Sequence, residues 1–163
     1  MASENTSIRI SFFLWLRLVR QLRRRGQGQR ESGAFLLGRA DNSFGKVSSF
    51  ICYDDLDPHA YQSGAIAFHA EGYAALWEHC RNHALQVLAD AHTHPGWGVG
   101  QSHIDQENPM IPIKGHTGMI LPNFAVTVKL SLAGVGIYEY LGRYKWRVHD
   151  PAAKPARVRL VMW

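Results

Sequence analysis

Along the first part of the chain, Ile8, Phe12, Trp15, Val19 and Leu22 recur at spacings of three or four. That period predicts an amphipathic helix over about residues 7–25, with one apolar stripe and an arginine-rich remainder. Gly26-Gln27-Gly28-Gln29 breaks it, and the pattern then shortens. Ala34-Phe35-Leu36-Leu37 is an apolar run stopped by Gly38, the mark of a buried strand, and the β-branched and aromatic stretch 46–53 is its hairpin partner. Residues 54–58 read as a loop and about 64–69 as a further strand. A helix over 70–84 follows, with Tyr73, Leu76, Trp77 and Cys80 on one face. A strand at 86–91 runs into His92, a glycine-rich loop follows, and a short helix starts at Ser102, limited by Pro109 and Pro112. Stretches 117–121, 125–130, 135–141, 144–148 and 157–163 complete the strands. Helices mixed with mostly consecutive strands predict a single α+β domain over 1–163, of three-layer α-β-α form, without internal repeats.

Composition narrows this picture. A length of 163 residues is enough for one self-sufficient core and too short for a (β/α)₈ barrel. With 46% apolar and 19% charged residues, extended disorder is excluded. Cys52 and Cys80 make no C-x-x-C pair and no disulfide framework, which points to a reducing, cytoplasmic setting. The net charge of +5 is local: residues 1–30 hold seven of the 13 arginines and a single acid, Glu4. The apolar run 11–16 is cut by Arg17 and Arg20, so no transmembrane segment is expected. The cluster Arg23-Arg24-Arg25 follows the apolar run instead of preceding it, which is the wrong order for a secretory signal. The ordinary fate of such a helix is to dock one stripe and solvate its arginines; contact with nucleic acid or an acidic membrane is the alternative.

The chemistry is concentrated in His92-Thr93-His94, the glycine loop, and Ser102-His103-Ile104-Asp105. Alternate residues on a strand share a face, so His92 and His94 can occupy two corners of one zinc site. Asp105, three residues after Ser102 on the short helix, can supply a third ligand, which leaves one position open, as in catalytic zinc sites. Glu31, directly before a buried strand, lies at the rim and is the candidate general base. The Ser102 hydroxyl is a candidate donor to a developing oxyanion. Trp97, in the glycine loop, is a candidate groove residue, or is tucked onto its own domain.

With a glutamate upstream, then H-x-H, seven residues, S, two residues and D, the chain resembles the JAMM (JAB/MPN) zinc metallopeptidases at Glu31, His92, His94, Ser102 and Asp105. The setting of Glu31 is similar to that family's first strand, and Asn108-Pro109-Met110, Gly115-His116 and Leu121-Pro122-Asn123-Phe124-Ala125 resemble its small prokaryotic branch. The resemblance spans about residues 8–150. It implies an MPN/JAB-like, cytidine-deaminase-like sheet with flanking helices. It also implies a zinc-dependent peptidase or isopeptidase cutting after the C-terminal glycine of a ubiquitin-like modifier, for precursor processing or deconjugation. Bacterial relatives often accompany E1-like and E2-like proteins, which are the implied partners. The implied roles are zinc ligands for His92, His94 and Asp105, general base for Glu31 and transition-state donor for Ser102. Only ten residues separate Asp105 from His116, so a long substrate-gripping insertion is missing.

Plainer readings stand beside these. Ser102-x-x-Asp105 is also a helix-capping pattern, compatible with presenting Asp105 rigidly. Gly96, Gly98 and Gly100 lack the G-K-[ST] of a phosphate loop and read as a turn. His103 points away from Asp105 on a helix. His69, His79, His83, His116 and His149 share no ligand spacing, and Asp54, Asp55 and Asp57 form a solvated loop. Zinc deaminases need a P-C-x-x-C tract that is absent. The competing functions are a RadC-like protein associated with nucleic acid, which is not the expected partner, and a non-catalytic MPN scaffold.

Overall fold

A computed structural model describes residues 7–163. β2 (Gly33–Ala40) and β4 (Gln86–Thr93) lie at the centre of an eight-stranded sheet. Around them stand β1 (Ser7–Ser11), β3 (Phe44–Cys52), β5 (Thr117–Leu121), β6 (Gly136–Gly142), β7 (Lys145–His149) and β8 (Val158–Val161), in the order β7-β6-β5-β4-β2-β3-β1-β8. The pairing is mixed: β3-β2-β4 and β5-β6-β7 are antiparallel, whereas β4-β5, β1-β3 and β1-β8 are parallel.

The apolar run of β2 explains its central place, because a strand buried on both faces needs no polar alternation. Ala34 and Leu36 enter one core, with α1 (Phe12–Gly26); Phe35 and Leu37 enter the other, with α3 (Ala70–His83). Trp15 is wholly buried in the first core, and its indole N–H donates to the Lys129 carbonyl at 2.9 Å. That bond ties the irregular chain after β5 onto α1.

The structure corrects the expected three-layer α-β-α, MPN/JAB-like and cytidine-deaminase-like arrangement. The chain forms one mixed sheet curled into a half-barrel, with few helices. Among the described residues only α1 and α3 exceed five residues; α2 (Tyr53–Leu56) and α4 (His103–Glu107) are single turns. Strand twist accumulates over eight strands, so the sheet curls.

Four local expectations also change. The first helix begins at residue 12, not 7, because residues 7–11 are β1. Ile8 and Ile10 are buried at period two, and the Ile8–Phe12 spacing fits strand and helix alike. Ser11 makes the switch: its hydroxyl accepts the Leu14 N–H at 3.2 Å as the N-cap. Residues 125–130 are not a strand, since Asn123, Phe124 and Ala125 all adopt positive φ in a single 3₁₀ turn. Residues 64–69 are a loop, and the acidic stretch at 54–57 is not simply solvated. Arg25 binds Asp54 and Asp55 at 2.8 Å each, and Asp57 is buried. Among the described residues no helix is long and apolar enough to cross a membrane.

Asp57 gathers the loop that precedes α3. Its carboxylate accepts the backbone N–H groups of His59 and His69, both at 2.9 Å, and lies 2.6 Å from His69 Nδ1. Burial pushes its pKa up, but these hydrogen bonds outweigh burial and hold it below the ordinary carboxylate value. A depressed native pKa stabilises the fold above the unfolded-state value near ~4, and that contribution disappears as pH falls through the native value. In urea unfolding, wild type is therefore expected to exceed Asp57→Asn by about 1–3 kcal/mol at pH 7. The gap narrows as pH falls toward about 3.

Candidate metal centre

The site is built where the central strands end. Gly33 pairs with His92, and one residue further the Thr93 N–H donates to the Ser32 carbonyl at 2.9 Å. Carried on by one more position, this antiparallel register sets Glu31 opposite His94. By alternation, Glu31 and Gly33 share the sheet face of His92 and His94. Gly33 has a steric reason: a Cβ there would lie 2.2 Å from the Tyr53 ring. The end of β4 is held by its parallel neighbour, with the His94 N–H donating to the Leu121 carbonyl at 2.9 Å. The Phe124 N–H returns to the His94 carbonyl at 2.8 Å.

His92, His94 and Asp105 bring one donor atom each to a common point. Nε2 of His92 and Nε2 of His94 are 3.2 Å apart, and each lies 3.3 Å from an oxygen of Asp105. Ligands about 2.0–2.1 Å from a tetrahedral zinc are separated by about 3.3 Å; the two imidazole nitrogens meet that spacing, and the carboxylate presents Oδ1 to His92 and Oδ2 to His94. His94 Nδ1 is 3.2 Å from the Gly98 carbonyl, which accepts its N–H and leaves the Nε2 lone pair for a metal. The Asp105 carboxylate takes the backbone N–H and the hydroxyl of Ser102, both at 2.8 Å, while Ser102 Oγ accepts the Asp105 N–H at 3.1 Å. The capping box and the proposed ligand are thus the same arrangement. It commits the hydroxyl proton of Ser102 to Asp105. Two imidazoles and one carboxylate are a donor set that fits a zinc ion.

Electrostatics separates the two carboxylates. Burial would raise Asp105, but the adjacent His92 and His94 rings and the Ser102 hydroxyl outweigh it and hold Asp105 far below the ordinary carboxylate range. Glu31 is pushed upward by burial, against the pull of His92 and His94. Burial and the neighbouring groups thus push the two carboxyl groups in opposite directions.

Glu31, His92, Ser102 and Asp105 all line one groove of about 770 Å³. Trp97 does not line it; its ring stands 75% exposed in the loop. His103 faces away, 3.1 Å from Glu107. His69 joins Asp57, His79 stacks on His83 at 4.3 Å, and His149 lies 2.8 Å from Glu139. Asp90, unnoticed in the sequence, lines the groove and is bound to buried His116 at 2.7 Å. The period-two argument that paired His92 with His94 also places Asp90 on their face.

No family model matches the chain. Two solved structures share the fold. A solution structure of a protein from Desulfitobacterium hafniense matches with TM-score 0.65 and 15% identity, over 94% of this chain and 92% of that one. A solution structure of a protein from Salinibacter ruber matches with TM-score 0.54 and 18% identity, over 87% of this chain and 88% of that one. At these identities the likeness is one of fold.

Zinc titration against a competing chelator checks the ligand set. His92→Ala and Asp105→Ala are expected to lose stoichiometric binding, and Glu31→Gln to retain it. Ser102→Ala, which removes the hydroxyl that orients Asp105, is expected to weaken zinc about 10–100-fold.

Proposed function

We propose that the protein is a zinc-dependent peptidase or isopeptidase of JAMM type, cutting after the C-terminal glycine of a ubiquitin-like modifier or its conjugates. The observation that carries this reading is the meeting of His92, His94 and Asp105 at zinc-ligand spacing, with the half-buried carboxyl group of Glu31 acting on the same cluster. The modifier as substrate, and E1-like and E2-like proteins as partners, rest on the likeness of the five-residue signature. Bound zinc would supply the Lewis acidity that amide hydrolysis needs at neutral pH.

The chain's own groups supply the proton movements. Glu31 takes a proton from the attacking water as the new C–O bond forms. It passes that proton to the departing amine as the C–N bond breaks. A carboxyl group raised by burial suits both halves of this transfer. The hydroxyl of Ser102 has one proton, now donated to Asp105. To stabilise the carbonyl oxygen as it becomes negative, Ser102 must rotate that proton toward the substrate, while its backbone N–H keeps hold of Asp105.

A ubiquitin-like protein extended beyond its terminal glycine, incubated with and without chelator and read by mass spectrometry, tests the assignment. Wild type is expected to yield a product ending at glycine, and chelator to abolish it. Glu31→Gln, still loaded with zinc, is expected to give no product. Ser102→Ala is expected to turn over on the order of 10²-fold more slowly. Cleavage by Glu31→Gln at the wild-type rate contradicts the reading.

A further inference from the structure

The groove beside the metal centre is lined by carboxyl groups of Glu31, Asp90, Asp105 and Glu107 and, among the described residues, by no Lys or Arg, although the chain carries net charge +5. Glu31 and Asp105 belong to the metal centre; Asp90 and Glu107 have no part in it. Asp90 stands one strand period from His92 on the same face of β4, about 7 Å along the groove. Its Oδ2 lies 2.7 Å from Nε2 of His116, and the two side chains are only 7% and 3% exposed, so the carboxylate is fixed in direction. Its Oδ1 faces Gly118 on β5. A Cβ at Gly118 would lie 3.7 Å from that oxygen and 4.0 Å from the Trp146 ring, so the glycine leaves a gap between a carboxylate and an indole.

Tyr53 lines the same groove, and its fully buried hydroxyl has no hydrogen-bond partner. Phe68 and Tyr73, edge to face at 4.7 Å, add an aromatic wall. A fixed carboxylate and aromatic faces are together the chemistry that recognises an alkylammonium group. The carboxylate attracts the charge, and the rings hold both the charge and the methylene stem.

We propose that this part of the groove is a recognition pocket for a lysine side chain of the polypeptide that is cleaved. The four-carbon stem of lysine matches the separation of about 7 Å between Asp90 and the metal-ligand end of the strand. The word "cleaved" rests on the hydrolase reading; the pocket itself is tested by binding alone. Nα-acetyl-lysine methylamide and Nα-acetyl-norleucine methylamide, which lacks only the ammonium group, are titrated into the full chain. The Gly118 amide and Trp146 indole resonances are followed. The lysine probe is expected to shift both saturably, and the norleucine probe to bind at least tenfold more weakly. Asp90→Asn is expected to weaken the lysine probe at least tenfold. Gly118→Ala fills the gap at ordinary contact distance and leaves the Asp90–His116 pair intact, so it carries the test even if Asp90→Asn does not fold; it is expected to weaken the probe to the same extent. Equal binding of the two probes, no shift at either reporter, or unchanged lysine binding by Gly118→Ala overturns the proposal. Because turnover is not read, failure here leaves cleavage after glycine standing, and failure to cleave leaves these shifts expected.

Discussion

The antiparallel contact between the start of β2 and the end of β4 is the constraint on which the site depends. Ser32, wholly buried, is its joint. Its N–H donates to Thr93 Oγ1 at 3.0 Å, its carbonyl accepts the Thr93 N–H at 2.9 Å, and its hydroxyl donates to the Leu22 carbonyl at 2.7 Å. One residue thereby connects the end of α1, the beginning of β2 and the last residue of β4. A slip of one position in this register would turn Glu31 away from the histidines, because strand side chains alternate strictly between faces. The separation of Glu31 from His94 by 63 positions along the chain becomes a cross-strand neighbourhood through this pairing alone.

A second clamp acts from the opposite side. Three successive non-glycine residues, Asn123, Phe124 and Ala125, hold φ near +51°, +52° and +63°. Left-handed backbone costs roughly 1–2 kcal/mol per residue. The turn is offset by hydrogen bonds from Asn123 N–H to the Gly96 carbonyl and from Phe124 N–H to the His94 carbonyl. Strained backbone is thus spent on fixing the histidine loop, and α4 then returns Asp105 to it through a cap that is also a ligand support. Rigidity of this kind is what a metal site needs if its ligand atoms are to hold their spacing.

The legibility of the chain follows the same division between local and long-range physics. Strands β2, β3 and β5, helix α3 and the one-turn α4 were readable because their apolar runs and breakers are local. β1 was hidden because Ile8 to Phe12 satisfies either period, and 125–130 looked like a strand because Ala125 and Val128 enter the core with α1 without a ladder partner. The layering failed for a different reason: strand order and curl depend on pairings between distant segments, which periodicity does not encode. The five signature residues were legible from spacing and resemblance. His116, Tyr53 and Gly118 were not, because a floor beneath a groove exists only after β4 and β5 lie side by side, whereas Asp90 shares the period-two face of His92 and could have been picked out.

Two imidazoles at the end of β4 and one carboxylate on α4 form the donor set proposed to hold a four-coordinate ion. X-ray absorption at the zinc edge on the loaded protein tests it most directly. The account predicts a four-coordinate first shell of nitrogen and oxygen at about 2.0–2.1 Å, with the outer-shell scattering of two histidines. A six-coordinate shell, sulfur in the first shell, or scattering from fewer than two imidazoles would contradict it.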